Sequence, residues 1–135
     1  MLNQRLKLSL FNLRLGVFIV MLFWTIDKFI RPDHAAAVFD GFYSISGLGD
    51  MIMKVIGGLE LVLIVGFFLG IKKRLTYGAV LLLHGISTLS SYKQYLAPFE
   101  KVNLLFFAAW PMLAACFALY LLSDEDTWFT VGSGR

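Results

Sequence analysis

Four apolar runs follow one another along the chain, at 8–27, 51–70, 75–92 and 103–122, each bounded by charged or polar residues. Runs of about 20 residues match the length an α-helix needs to cross the hydrocarbon core of a bilayer. The second and fourth runs are the most apolar. The first is interrupted by Asn12 and Arg14, and the third carries His84, Ser87, Thr88, Ser90 and Ser91. Between the first two runs, Asp33 is placed to N-cap a short helix whose apolar residues Ala35, Val38, Phe39 and Phe42 fall at helical spacing. Gly41, Gly47 and Gly49 then break the chain. The pattern predicts four spanning helices and an interfacial helix over 33–43, with Phe and Tyr43 side chains at headgroup level. The expected fold class is all-α, an integral membrane four-helix bundle forming a single domain over 1–135.

Composition supports a membrane protein. Of the 135 residues, 59% are hydrophobic and 16% charged, whereas a soluble domain is about 25% charged. Mean hydropathy is +0.76. The four runs leave room for short loops and for no separate soluble domain. The net charge of +3 does not point to nucleic acid, because the cations sit in short clusters beside apolar runs, where they set topology. Arg5 and Lys7 precede the first run, and Lys72, Lys73 and Arg74 join the second to the third. Both clusters belong on the cytoplasmic side, which places both termini there, including the acidic stretch Asp124-Glu125-Asp126. A signal peptide ending near Ala35-Ala36-Ala37 is the alternative for the first run; its length, Arg14 and the charges that follow it argue against that reading.

The lone cysteine, Cys116, allows neither an internal disulfide nor a dithiol pair. His34 and His84 fall at different depths and do not suit one haem. No metal centre is expected.

The chemistry of interest lies in the polar residues inside the runs. A mid-bilayer carboxylate such as Glu60 costs a few kcal/mol unless it is paired or hydrated. Counting helical rise, Glu60, His84 and Arg14 fall within about 5 Å of one another in depth. Arg14–Glu60 is the first pair expected, since a bidentate Arg–carboxylate contact satisfies both charges where water is scarce. It serves either helix register or function. His84 shares a helical face with Tyr77, Ser87, Thr88 and Ser91. That stripe is either a proton-handling or ligand-binding wall, or interhelical packing by hydroxyls with a neutral histidine donating to a carbonyl. Trp110 either fills the core or stacks on a quinone ring. Pro111 should kink the fourth helix and free a carbonyl near Phe107. Asp27 and Lys28 sit at the outer mouth, as snorkelling anchors or as part of a lid. Gly66 and Gly70 form a GxxxG pair, weak evidence of a helix contact. The expected polar cluster or ligand pocket is therefore Arg14, Glu60, His84, Ser87, Thr88 and Trp110, with no catalytic residue assigned.

Several segments together resemble a known family. The first run contains Leu13-Arg14-Leu15-Gly16, then aromatic residues, then Asp27-Lys28-Phe29; the second contains Gly58-Leu59-Glu60 and ends at Gly70 before basic residues; the third contains Leu83-His84-Gly85-Ile86-Ser87-Thr88. In order and topology, over nearly the whole chain, these are similar to the DoxX-like family of small four-helix bacterial membrane proteins. The resemblance implies a bundle with charged residues in its first two spans, with Arg14 and Glu60 as the polar core and Lys28 as an addition to it. The family includes the small subunit of an archaeal thiosulfate:quinone oxidoreductase, which works with a second subunit, and members associated with oxidative-stress and thiol-redox complexes. The chain itself has no flavin fingerprint, metal-ligand cluster or cysteine pair. The expectation is an accessory or anchoring subunit of a redox-linked complex in the bacterial inner membrane, with a pocket for quinone or lipid. Its partners would be lipid and other protein subunits. The alternatives are a membrane subunit of a thiosulfate:quinone-type oxidoreductase and a small proton-coupled transporter.

Overall fold

The computed structural model describes residues 2–43 and 49–131. Among the described residues it is all-helical, with no strand. The elements are α1 (Leu2–Ile30), α2 (Pro32–Tyr43), α3 (Asp50–Leu69), α4 (Lys73–Ser90), α5 (Tyr92–Leu96), a 3-10 segment (Asn103–Ala108), α6 (Ala109–Leu121) and a last 3-10 turn (Ser123–Glu125). Helices α1 and α4 each pack on both α3 and α6, while α2 touches α1, α3 and α4.

Among the described residues, three stretches are long and apolar enough to cross a membrane: Leu2–Ile30, Met51–Leu69 and Asn103–Leu121. Helix α4 is not among them, because Lys73, Arg74 and its polar stripe lower its apolarity. The outward faces are strongly apolar: Phe23, Trp24, Leu59, Val62, Leu82, Leu89, Leu105 and Phe117 are all exposed. Apolar surface on this scale marks a membrane-facing protein. The buried cluster is small, comprising Leu10, Val17, Phe67, Tyr77, Val80, Cys116 and Leu119. Lipid tails are as apolar as such a core, so hydrophobic burial alone does not fix how helices pair; close packing and polar contacts must.

Several local expectations change. Helix α1 begins at Leu2, well before the apolar run, because Asn3 to Lys7 continue the helix beyond its lipid-matched part. Asp33 is not the N-cap of α2. The helix already starts at Pro32, leaving Asp33 in its first turn, where proline's missing N–H costs nothing and an acid suits the helix dipole. The side chains of Phe39, Phe42 and Tyr43, assigned to the headgroup zone, and the glycine break at Gly47 lie outside the described parts. Pro111 produces a change of helix type: the 3-10 segment Asn103–Ala108 leads into α6, and backbone N–H groups at the junction bond the Phe106 and Phe107 carbonyls. The carbonyl expected to be free near Phe107 is therefore engaged.

Helix α3 ends in a Schellman-type turn. Gly70 adopts φ 73, its N–H bonds the Phe67 carbonyl at 3.1 Å, and the Ile71 N–H bonds the Gly66 carbonyl at 2.9 Å. A Cβ on Gly70 would lie 2.7 Å from Cγ2 of Thr130. Gly66 and Gly70 thus admit α4 and the C-terminal segment, since a Cβ on Gly66 would meet Thr76 at 3.4 Å. Gly70→Ala should cost about 2 kcal/mol, from the positive φ and the collision together. Thermal unfolding in detergent checks this, and Gly70→Ala/Thr130→Gly should recover the part due to the collision.

Candidate functional site

The buried charges form two layers, about 21 Å apart along α1 at about 1.5 Å per residue. The first lies at the end of the molecule that carries the α3–α4 turn. There Arg14, fully buried, bonds Oδ1 of Asp126 through Nη1 at 2.8 Å and donates to the Trp128 carbonyl through Nη2. Tyr77 donates its hydroxyl to Oδ2 of the same carboxylate at 2.6 Å. Lys73 Nζ bonds the carbonyls of Ser123 at 3.0 Å and Asp126 at 2.6 Å. The guanidinium also lies over the rings of Phe11 and Phe68, 5.4 and 5.6 Å from their centroids.

Residues 123–131 are thus folded back onto the ends of α1, α3 and α4. The Val131 N–H adds a bond to the Leu69 carbonyl at 2.9 Å, and Phe129 packs on Phe11 with centroids 5.0 Å apart. Helix α6 ends at Leu121 and the chain turns at Ser123, which brings Asp126 back under Arg14.

The second layer lies toward α2. Lys28 Nζ contacts Glu60 Oε2 at 3.2 Å, and the Thr25 hydroxyl lies 3.3 Å from the same oxygen, sharing its one proton between it and the nearer Met21 carbonyl. Thr25 also bonds the Met21 carbonyl one turn back, which fixes its rotamer toward α3. Beyond this layer, Asp27 accepts Arg31 Nε at 2.7 Å and meets His34 Nδ1 at 2.7 Å. That trio ties the corner between α1 and α2.

The expected Arg14–Glu60 pair is therefore not formed. Each has a different partner, Asp126 for Arg14 and Lys28 for Glu60. Lys28 does not snorkel outward; it is buried and turned toward α3. The third predicted member, His84, stands apart from both layers. Its Nε2 lies 3.0 Å from the Ala109 carbonyl, and since a carbonyl only accepts, Nε2 carries the proton. The stripe on α4 does face inward: Tyr77, Thr88 and Ser91 are buried, His84 and Ser87 half-buried. Two of its hydroxyls bond one turn back along the chain: Thr88 to the His84 carbonyl at 2.7 Å, and Ser91, the residue that caps α4, to the Ser87 carbonyl at 3.2 Å. The six residues expected to form one cluster are spread over three places.

Trp110 is half-exposed, with its ring 5.4 Å from that of Tyr95. It lines an apolar cleft of about 400 Å³ with Leu81, Leu113, Ala114 and Phe117, between α4 and α6. Sequence reasoning missed Asp126, Lys73 and Thr25. The signals were present: Arg14 required a carboxylate, and Tyr77 already stood on the polar face of α4. Comparison of the chain with protein-family models, with characterised proteins and with solved structures gives no match.

Proposed function

We propose that the chain is an accessory or anchoring membrane subunit of DoxX-like type, whose four helical runs span the bacterial inner membrane with both termini in the cytoplasm. Its partner would be a redox-linked complex, and its own contribution a seat for a ring-bearing apolar ligand such as a quinone, or for a lipid tail. The observation that carries this reading is the apolar cleft beside Trp110, about 400 Å³ in volume and walled by Leu81, Leu113, Ala114 and Phe117. Aromatic and aliphatic walls with a few polar groups nearby are the usual make-up of small-molecule sites. His84 is one turn along α4 from Leu81, and its Nδ1 has no partner among the described residues. With Nε2 donating to Ala109, a neutral Nδ1 accepts from a quinol hydroxyl. The charged residues of the two buried layers support an anchoring role, because Arg14 pairs with Asp126 and Lys28 with Glu60 within the chain.

Two measurements test the reading. Extraction from native membranes in mild detergent should yield a stoichiometric partner polypeptide; a chain that always runs alone counts against the accessory role. Binding of a short-chain quinone to the purified protein should weaken about tenfold in Trp110→Ala, the scale of one lost aromatic contact. An unchanged affinity removes the quinone seat from the proposal and leaves the lipid-tail alternative.

A further inference from the structure

The α3–α4 turn carries three consecutive cations, and among the described residues the middle one bonds within the chain. Lys73 turns inward to the carbonyls of Ser123 and Asp126, while Lys72 and Arg74 stay exposed. Arg74 has no hydrogen bond or ion pair among the described residues. It lines a cavity of about 200 Å³ with Tyr120, Leu121 and Ser123, and the wall of that cavity is mostly polar. Ser123 is 2% exposed, yet its hydroxyl has no partner among the described residues, and neither has the Tyr120 phenol. One cation and two hydroxyl-bearing side chains therefore meet in one cavity without an acceptor of their own.

The two hydroxyl-bearing residues are held from behind. The Lys73 bond at 3.0 Å holds the Ser123 carbonyl. The Tyr120 ring lies against Gly78, where a Cβ would come within 3.3 Å of it. Preorganised donors around a cation select an oxyanion. Two features choose its source. Glu125 and Asp124 stand exposed beside the cavity, and their charge disfavours a free multivalent anion. Leu75 and Leu121, both largely exposed, extend apolar surface away from it, as a seat for acyl chains would. A turn with several Lys and Arg next to a membrane attracts anionic lipid.

We propose that this cavity holds the phosphate of an anionic glycerophospholipid, with Arg74 as the charged donor and Ser123 and Tyr120 as the neutral ones. The proposal requires that the chain lie in a bilayer; it is independent of the quinone seat and of the accessory role.

Native mass spectrometry of the detergent-purified protein tests it, with phosphatidylglycerol and phosphatidylcholine of identical acyl chains as probes. The wild type should retain phosphatidylglycerol about fivefold better, the order expected of one charged contact at a partly exposed site. Arg74→Gln should abolish that preference, and Ser123→Ala and Tyr120→Phe should each reduce it. Lys54→Gln, which removes an exposed cation elsewhere on α3, should leave it unchanged. Millimolar inorganic phosphate should neither bind nor displace the lipid. Equal retention of the two lipids overturns the proposal, as does an equal loss in Lys54→Gln. Displacement of the lipid by phosphate alone assigns the cavity to a soluble anion and overturns the lipid source.

Discussion

Asp126→Ala should lower the stability of the folded chain by about 3–5 kcal/mol, the range found when one partner of a buried ion pair is removed. The cause is what stays behind. Arg14 is fully buried, it loses the carboxylate 2.8 Å from Nη1, and the Tyr77 hydroxyl loses its acceptor at 2.6 Å. Lys73 keeps its backbone partners, since it bonds carbonyls. Asp126→Asn should cost less, because an amide oxygen still accepts one of the two bonds. Replacing the pair with Arg14→Met/Asp126→Leu should restore much of the loss, since apolar residues of similar size often substitute for buried pairs without penalty. Glu125→Gln, at an exposed neighbour, should stay within about 0.5 kcal/mol. Thermal unfolding followed by tryptophan fluorescence in one detergent reads all four. A loss below about 1 kcal/mol for Asp126→Ala means that Arg14 is not held by this carboxylate.

The helical elements were legible because hydrophobic runs and basic punctuation report directly on burial in lipid. The turn at Gly70 follows from glycine's access to positive φ, although in sequence Gly70 reads only as part of a helix contact. The start of α4 at Lys73 does not follow from local charge, because cations in a first turn oppose the helix dipole. The pairing of charges was not legible, for two physical reasons. Depth was counted from the edge of each apolar run, but the runs are not aligned at their edges: Arg14 lies against Phe68, near the end of α3, about 12 Å along that helix from Glu60. The acidic stretch after α6 also reads as a solvated tail, because nothing local marks Asp126 as different from Asp124 and Glu125. Only the reversal of the chain at Ser123 makes it so, and a reversal is a tertiary event. His84 shows the opposite case. A lone histidine on an inward face with no acid in reach finds a backbone carbonyl, one of the two outcomes its stripe allowed.

The layout of two separate layers has a consequence for coupling. Arg14 and Glu60 should behave independently, since their partners differ and lie about 21 Å apart along α1. Arg14→Met and Glu60→Gln should therefore add within about 0.5 kcal/mol. Lys28→Met and Glu60→Gln should couple by about 1–2 kcal/mol, as expected of groups in direct contact. Singly, Lys28→Met should be the more costly of these two, at about 2–3 kcal/mol, because it strands a carboxylate whose other donor among the described residues is Thr25 at 3.3 Å. Glu60→Gln retains an oxygen for Thr25 and leaves Lys28 a neutral acceptor, so it should cost less. The effect should also be smaller than at Asp126, since the Glu60 side chain is 20% exposed where Asp126 is fully buried. Both cycles can be read from thermal unfolding of the single and double variants in one detergent. Coupling between Arg14 and Glu60 as large as that between Lys28 and Glu60 would bring the two layers back into one and restore the pairing that helical depth alone suggests.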